Sequence, residues 1–458
     1  MKGVSAISLG RLFLVLSLIA AGCDDPPVTE VPVDDADIAS GGGTTVYDAG
    51  SNAFSTPAPN LSAESLEKHL AGDAEFEQVF VTPPATVNPG LGPTYNNVSC
   101  ISCHPRDGRG RPPLPGEPLG SMLLRISLPG TGDHGGPLPV DGFGTQLQTK
   151  AVIGSIPEGD VLVSWTEEPG EYPDGTPYSL RRPSNVVTGS VPGGILVSAR
   201  VAPAVFGLGL LEAVAEETIL MNADEADMNG DGISGKANYA WNAESGQMEV
   251  GRFGWKASTP TLLQQSAGAY NEDMGVTTPY FPLEHCHGNT GCDTLANDPE
   301  VDDEILQTVG FYVQTLGVPA RRNTDNPSVI QGKKIFAEIG CNGCHQAPLR
   351  TGSFPVGELS NQTIYPYTDL LLHDMGPDLA DGRPDFLANG SEWRTAPLWG
   401  IGLTEVVSGH TYFLHDGRAR SIEEAILWHG GEAGSSKERF RVLTREDRSA
   451  LMNFLMSL

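Results

Sequence analysis

The pentapeptide C-x-x-C-H occurs twice, as Cys100-Ile101-Ser102-Cys103-His104 and as Cys341-Asn342-Gly343-Cys344-His345. It is the attachment signature of a c-type haem: the two thiols form thioethers and the adjacent imidazole supplies an axial nitrogen to the iron. A chain that carries two such groups must fold around two large, flat, apolar bodies, against which loops and short helices can pack. The competing reading is a four-cysteine zinc site made of two C-x-x-C knuckles. Such a site has no use for a His after both pairs. The two motifs take four of the seven cysteines.

The other three cysteines are read from their positions. Cys23 follows Ala20-Ala21-Gly22, at the end of the apolar run from Leu12 to Ala21, and Lys2 and Arg11 precede that run. The run is too short for an ordinary spanning helix. Residues 1–22 are expected to be a signal peptide and Cys23 the lipidated first residue of a periplasmic or cell-envelope lipoprotein. An ordinary secretory signal is the alternative. Residues 23–60, rich in Asp, Gly, Thr, Ser and Pro, read as a flexible tether. Cys286 and Cys292 enclose a five-residue loop. In an exported chain a local disulfide is expected there, with a metal site through His285 and His287 as the alternative.

Charge narrows the partners. The chain carries a formal net charge of −29. A phosphate backbone would be repelled, which excludes nucleic acid. A small soluble electron carrier with a basic face, such as a c-type cytochrome or a cupredoxin, would be attracted. No other stretch is apolar and long enough to span a bilayer, so the lipid is the expected membrane contact.

Helical periodicity appears at both ends of what remains. Ser62 caps a predicted amphipathic helix reaching about residue 78, and Asp303–Leu316 is amphipathic. Ser328–Ile339 delivers the second motif, with Gly332 and Phe336 on one face, and resembles the helix before the haem motif of small c-type cytochromes. Two more helices are predicted at Ile422–His429 and Arg445–Leu458. Residues 106–195 are dominated by turn formers and read as loops with short strands. The expected fold is mainly α, with long loops and a few short strands, in two cytochrome c-like haem domains at 61–300 and 301–458.

A weak internal repeat supports two domains. Arg200-Val201-Ala202-Pro203 and the glycine- and leucine-rich stretch after it are echoed by Arg394-Thr395-Ala396-Pro397 and its sequel. Each copy lies C-terminal to a haem motif. The interval from His104 to Arg200 is about twice that from His345 to Arg394, so the first domain is expected to hold an insertion.

These features, with Phe413-Leu414-His415-Asp416-Gly417-Arg418, resemble the bacterial di-haem cytochrome c peroxidases and their relatives that modify a partner's tryptophans. The stretches Asp107 to Arg111, Gly251 to Ala257, Tyr367 to Gly376 and His415 to Ala433 are more similar to the di-haem oxidoreductase ("thiol oxidoreductase") family. The resemblance implies peroxide, or another oxidant, reduced at the N-terminal haem with electrons passed through the C-terminal haem. A pure electron-transfer cytochrome, or an oxidant of a partner protein, are the alternatives. In the peroxidases a Met ligand lies fourteen residues after the His of the His-Asp-Gly motif; here that position is His429. Ser421 and Glu424 form a predicted capping box for its helix. His429 is the expected second ligand beside His345, or else a helix cap, and His373, Met375 and His410 are rivals. The family's inter-haem Trp, pocket Gln and acid find counterparts in Trp255, Gln264 or Gln265, and Asp273 or Glu272. A base there would shuttle a proton between peroxide oxygens, and Trp255 would carry an electron hole. Their structural alternative is a buried Trp, a helical Gln pair and an acidic turn. The second ligand that some peroxidases place on the first haem would fall at Gly120, and His134 is the next His. An open or weakly ligated N-terminal haem, held by His104, is therefore expected.

One further motif stands apart. Asp227, Asn229, Asp231 and the carbonyl of Ile233, with Gly232 at the turn, match the start of an oxygen-rich calcium loop. The twelfth position is Asn238 rather than the usual Glu, and a solvated acidic turn is the alternative.

Overall fold

Two similar helix crossings organise the computed structural model, which describes residues 35–284 and 298–458 besides Met1. The leader, Cys23, and the Cys286–Cys292 pair with His285 and His287 lie outside the described residues. The helices that build the crossings and their surroundings are α1 (Ala63–Glu77), α2 (Leu262–Met274), α3 (Asp303–Thr315), α4 (Pro327–Glu338), α5 (Ile422–Trp428) and α6 (Arg445–Ser457). Local chemistry fixes their starts. Ser62, Thr261, Asp302, Asn326, Ser421 and Thr444 each accept a hydrogen bond from a first-turn amide.

In the first crossing, Gly72 of α1 meets α3 so closely that a Cβ there would lie 2.4 Å from the Thr308 carbonyl oxygen. In the second, a Cβ on Gly332 of α4 would lie 2.0 Å from the Ala450 carbonyl oxygen of α6. One turn beyond each glycine stands a phenylalanine, and one turn beyond each facing carbonyl stands another aromatic. The Phe76–Tyr312 rings are 5.2 Å apart and the Phe336–Phe454 rings 5.3 Å. Each phenylalanine also reaches a motif histidine: Phe76 to His104 is 6.3 Å and Phe336 to His345 is 6.4 Å. Glycine permits the helix approach, and the buried aromatic pair it admits contributes roughly 0.5–1.5 kcal/mol beyond its area. The first core also takes in Tyr270 of α2 and Leu306 of α3. The first crossing thus uses residues beyond 300. The second core gathers α4, α5 and α6.

The expectation of a mainly α fold is overturned: 30% of the chain is helical and 21% is strand, in many small sheets. Most of the unexpected strand lies in the insertion. β1 (Met122–Thr131), β2 (Gly159–Glu171), β3 (Pro177–Gly189) and β4 (Leu196–Val201) are all antiparallel. β1 pairs with β4 from Met122↔Val201 to Ser127↔Leu196. β2 and β3 form a long hairpin from Gly159↔Gly189 to Glu171↔Pro177. Residues along β2 mostly alternate between half-buried and exposed. A ribbon covered this shallowly has little need for apolar alternation, so Glu167 and Glu168 occupy it and the period-2 signal is faint.

The hairpin lies against the second core. The Tyr172 hydroxyl donates to Glu423 at 2.7 Å, Arg448 donates to Asp174 at 2.6 Å, and Arg181 donates to the carbonyls of Gly417 and Arg418.

The flexible tether is also corrected over its second part. Residues 35–60 pack as a strap. Asp37 is 1% exposed and accepts from Arg321 (2.6 Å), Lys333 (2.7 Å) and the Tyr367 hydroxyl (2.8 Å). Thr45 and Val46 pair in parallel with Val318 and Pro319, and Phe54 stacks on Phe206 at 4.1 Å. The polar composition of the segment reflects buried hydrogen bonding here. Among the described residues, no helix is long and apolar enough to cross a membrane.

Candidate functional site

Both pentapeptides open on one continuous cavity of about 680 Å³. Cys100–Cys103 form a single helical turn, and Gly340, at φ +89°, turns the chain into the 3-10 turn Cys341–Gly343. None of the four motif cysteines is paired in a disulfide. Burial pushes Cys100, Cys103 and Cys341 up to about 12.

The two motif imidazoles are oriented alike. His104 Nδ1 lies 2.7 Å from the Pro203 carbonyl, inside the first copy of the repeat, and His345 Nδ1 lies 2.9 Å from the Tyr367 carbonyl. A ring that donates from Nδ1 to a carbonyl keeps its lone pair on Nε2, the tautomer an iron ligand needs. Burial holds both rings down to about 4, so they are neutral near pH 7.

The cavity wall also suits a doubly acidic prosthetic group. Arg109 and Arg394 line it and donate to the carbonyls of Tyr412, Leu414, Gly254 and Thr395. Neither forms an ion pair among the described residues. Each feels a carboxylate only at longer range, Asp416 for Arg109 and Asp369 for Arg394; a buried guanidinium favours a direct partner, which haem propionates would supply. The residues present therefore fit two haems. Signals for these arginines existed: Arg394 opens the second copy of the repeat, and Arg109 lies in the Asp107–Arg111 stretch.

Trp255 lies between the halves. Its indole Nε1 donates to the Val201 carbonyl at 2.8 Å, and its own carbonyl accepts from the Arg394 amide at 2.9 Å. It is thus pinned between the two copies of the repeat, with the Arg109 guanidinium 5.0 Å from its ring. Trp393 and His415, stacked at 3.7 Å, share the cavity.

The candidate acids separate clearly. Glu272 is engaged by the Arg125 guanidinium and the Thr145 hydroxyl. Both acids line the cavity; Asp273 accepts from Gln146 Nε2 at 2.7 Å and has no direct ion pair among the described residues. Burial raises its pKa, against the opposing pull of Arg125 and Gln146. Gln264 and Gln265 both line the cavity, but the Gln264 amide is spent on the Trp241 carbonyl and the Ala243 amide. Arg125 and Gln146 belong to the insertion and gave no motif signal.

The rival histidines separate in the same way. His410 Nε2 lies 2.9 Å from the Arg109 carbonyl and its Nδ1 accepts from the Tyr412 amide. His373 has Asp369 on one ring nitrogen and Glu432 on the other. Burial would push His373 down, but these carboxylates and Cys344 raise it to about 12. His429 is the C-cap residue just past α5, beyond the predicted last turn. Its Nδ1 lies 2.7 Å from the Ala425 carbonyl, and Nε2 has no protein partner among the described residues. The ring lines the cavity near enough to His345 to help lower the latter's pKa. Capping and ligation are compatible, since each uses a different nitrogen. Met375 lines the cavity as well. His134 stacks on Trp241 at 3.6 Å and does not line it. Glu424 does not close a reciprocal box with Ser421; it accepts from Arg420 instead.

The calcium-like loop turns its acids onto its own backbone. Asp227 accepts from the Gly232 amide, Asn229 from the Asp231 amide and Asp231 from the Ile233 amide.

Two haem-attachment motifs opening on one cavity place the chain among di-haem redox proteins. It belongs to the di-haem oxidoreductase family: residues 35–458 match the family described as "Di-haem oxidoreductase, putative peroxidase". A 63-residue stretch is 35% identical to the cbb3-type cytochrome c oxidase subunit CcoP of Helicobacter pylori (strain 52), covering 13% of this chain and 21% of that protein. The same subunit from strain ATCC 700392 / 26695 is also 35% identical, with 22% of its length covered. The chain thus spans about a fifth of these curated relatives. A structure of Kuenenia stuttgartiensis hydrazine synthase pressurised with xenon covers 98% of this chain and 100% of its own, at 12% identity and a TM-score of 0.38. That likeness is too weak to bear on fold or function.

Proposed function

We propose that this chain is an exported di-haem c-type oxidoreductase of peroxidase type. Peroxide, or a comparable small oxidant, would be reduced at the haem of His104, and electrons would enter at the haem of His345. The observation that carries this reading is the asymmetry of the two motifs: His345 has a second free imidazole nearby in His429, whereas the first motif shares its surroundings with Asp273 and Arg125. Thioether bonds to Cys100, Cys103, Cys341 and Cys344 would hold the groups.

When bound, the haem iron supplies the site for peroxide and the reservoir for electrons. The chain's own residues do the rest. His104 and His345 present Nε2 lone pairs fixed by carbonyls. Arg109 and Arg394 offset propionate charge. Asp273 takes a proton from one peroxide oxygen and returns it to the departing oxygen. Two electrons and two protons per hydrogen peroxide give two waters, the electrons coming from a small soluble carrier such as a c-type cytochrome or a cupredoxin. Trp255, held between Val201 and Arg394, would carry an electron hole between the two groups. Residues 1–22 direct export and Cys23 anchors the mature chain by lipid.

An absorption spectrum of the ferric holoprotein, before and after peroxide, tests this reading. A high-spin component that peroxide alters is expected. Two low-spin haems in every redox state, with no response to peroxide, would leave a pure electron-transfer cytochrome.

A further inference from the structure

Beside the second pentapeptide lies a cluster that the proposed peroxide chemistry does not use. His373 is 3% exposed and sits between two carboxylates: Asp369 Oδ2 at 2.9 Å from Nε2 and Glu432 Oε2 at 2.7 Å from Nδ1. Cys344 Sγ lies 3.6 Å from the same Nδ1. The acids are fixed from behind. Asp369 accepts from the Leu371 amide at 3.0 Å. Glu432 accepts from the Ser234 amide and hydroxyl and from the Asp374 amide, at 2.9–3.1 Å.

The charge of this triad follows from counting protons. Two nitrogen-to-oxygen hydrogen bonds require two protons. Shared among one imidazole and two carboxylates, two protons leave one net negative charge, wherever each proton rests. Among the described residues no Lys or Arg forms an ion pair with any of the three; the cation that feels Asp369 is Arg394. A buried charge in a site of low polarity acts far more strongly than the same charge in water. Cys344, Asp369 and His373 also bring ligating atoms within 4.8 Å of one another. A metal ion would need the Cys344 sulfur, which the haem claims.

We infer that the Asp369–His373–Glu432 triad is an electrostatic tuning element that holds the reduction potential of the second haem low. The inference rests on the proposed reading of Cys341–His345 as a haem site. A fixed negative charge beside the thioether edge favours the ferric state over the ferrous state, whose centre carries one positive charge fewer. Hydrogen bonding and buried charge around the ligands are established means by which a protein sets haem potential. Paired imidazole ligation by His345 and His429 would act in the same direction. Asp369 and Glu432 touch neither iron nor substrate and act only through their charge.

The test is a spectroelectrochemical titration of the full-length holoprotein, each haem followed by its own absorption or paramagnetic signal. Glu432→Gln and Asp369→Asn each remove one negative charge while keeping the shape and much of the hydrogen bonding. Both are expected to raise the midpoint of the second haem and leave that of the first unchanged, with haem content and spin state preserved. Should either variant lose haem, the other decides. An unmoved or lowered second midpoint in a variant that retains both haems overturns the inference. Failure of the two-imidazole reading would show separately, as a wild-type spectrum without that low-spin signal, and the midpoint shift could still be read.

Discussion

Gly332→Ala tests the second helix crossing. At an open helical position this change stabilises by about 1 kcal/mol, because alanine has the higher helix propensity. Here the new methyl would sit 2.0 Å from the Ala450 carbonyl oxygen and 2.7 Å from the Phe454 Cβ. The first distance is roughly 1.4 Å short of ordinary contact at 3.4 Å. The nearest atom is backbone, so relief requires α4 and α6 to part. Overpacking of this kind costs about 1–3 kcal/mol, and a backbone clash belongs at the upper end. The expected net loss is about 2 kcal/mol once propensity is deducted. Chemical denaturation of the holoprotein, followed by far-UV circular dichroism and haem absorption, should show a lower midpoint at unchanged slope. Phe336 packs near His345, so the native absorption of the second haem should change within the same transition. Gly72→Ala should do the same at the first haem. A Gly332→Ala protein as stable as the wild type, or more so, would refute the close approach.

Replacing Asp273 with Asn should lower peroxide turnover by roughly 10²–10⁴-fold at full haem content, measured by steady-state kinetics. In the wild type the rate should rise with pH through a pKa above the ordinary 3.8, because burial raises this group and only its ionised form accepts a proton. His429→Ala should convert the second haem to high spin, whereas His410→Ala, whose ring nitrogens are both engaged, should not; paramagnetic resonance distinguishes them. Asp37→Ala strands the buried Arg321 and should cost about 3–5 kcal/mol in thermal or chemical denaturation. Burial pushes Asp37 up, but Lys333, Arg321 and Tyr367 together hold it below its ordinary 3.8. Its contribution is therefore full above that value and lost as the pH falls through the folded pKa; the stability difference between wild type and variant should shrink on acidification.

What could be read from the chain was what local chemistry decides. Caps at Ser62 and Ser421, and the apolar stripes behind them, place helix ends to within a residue or two. The pentapeptides and the Arg200/Arg394 repeat mark the cavity wall. Long-range pairing was less visible. Asp37 reads as one more acid in a polar stretch until Arg321, Lys333 and Tyr367 surround it. The β2–β3 hairpin hides because neither face is deeply buried. Among His373, His410 and His429, nothing local says which ring keeps a free nitrogen; that depends on carboxylates and carbonyls brought from elsewhere in the chain. Gly332 and Phe336 could be placed on one face, but their counterpart in Gly72 and Phe76 emerges only with the partner helices.

The first crossing also bears on how the protein matures. Its two helices are separated by most of the chain's first two-thirds, and α3 begins roughly 200 residues after Cys103. If the chain is exported N-terminus first, as proposed above, it would present Cys100 and Cys103 long before the core that encloses them can close. The strap must wait longer still, for Arg321, Lys333 and Tyr367. In the second half the order is the same but the interval is shorter: α4 precedes Cys341 directly, and α6 begins roughly 100 residues after Cys344. The two attachment sites thus have unequal windows of access, long for the first and short for the second. A maturation enzyme working at a fixed rate would be expected to leave the second site incomplete more often.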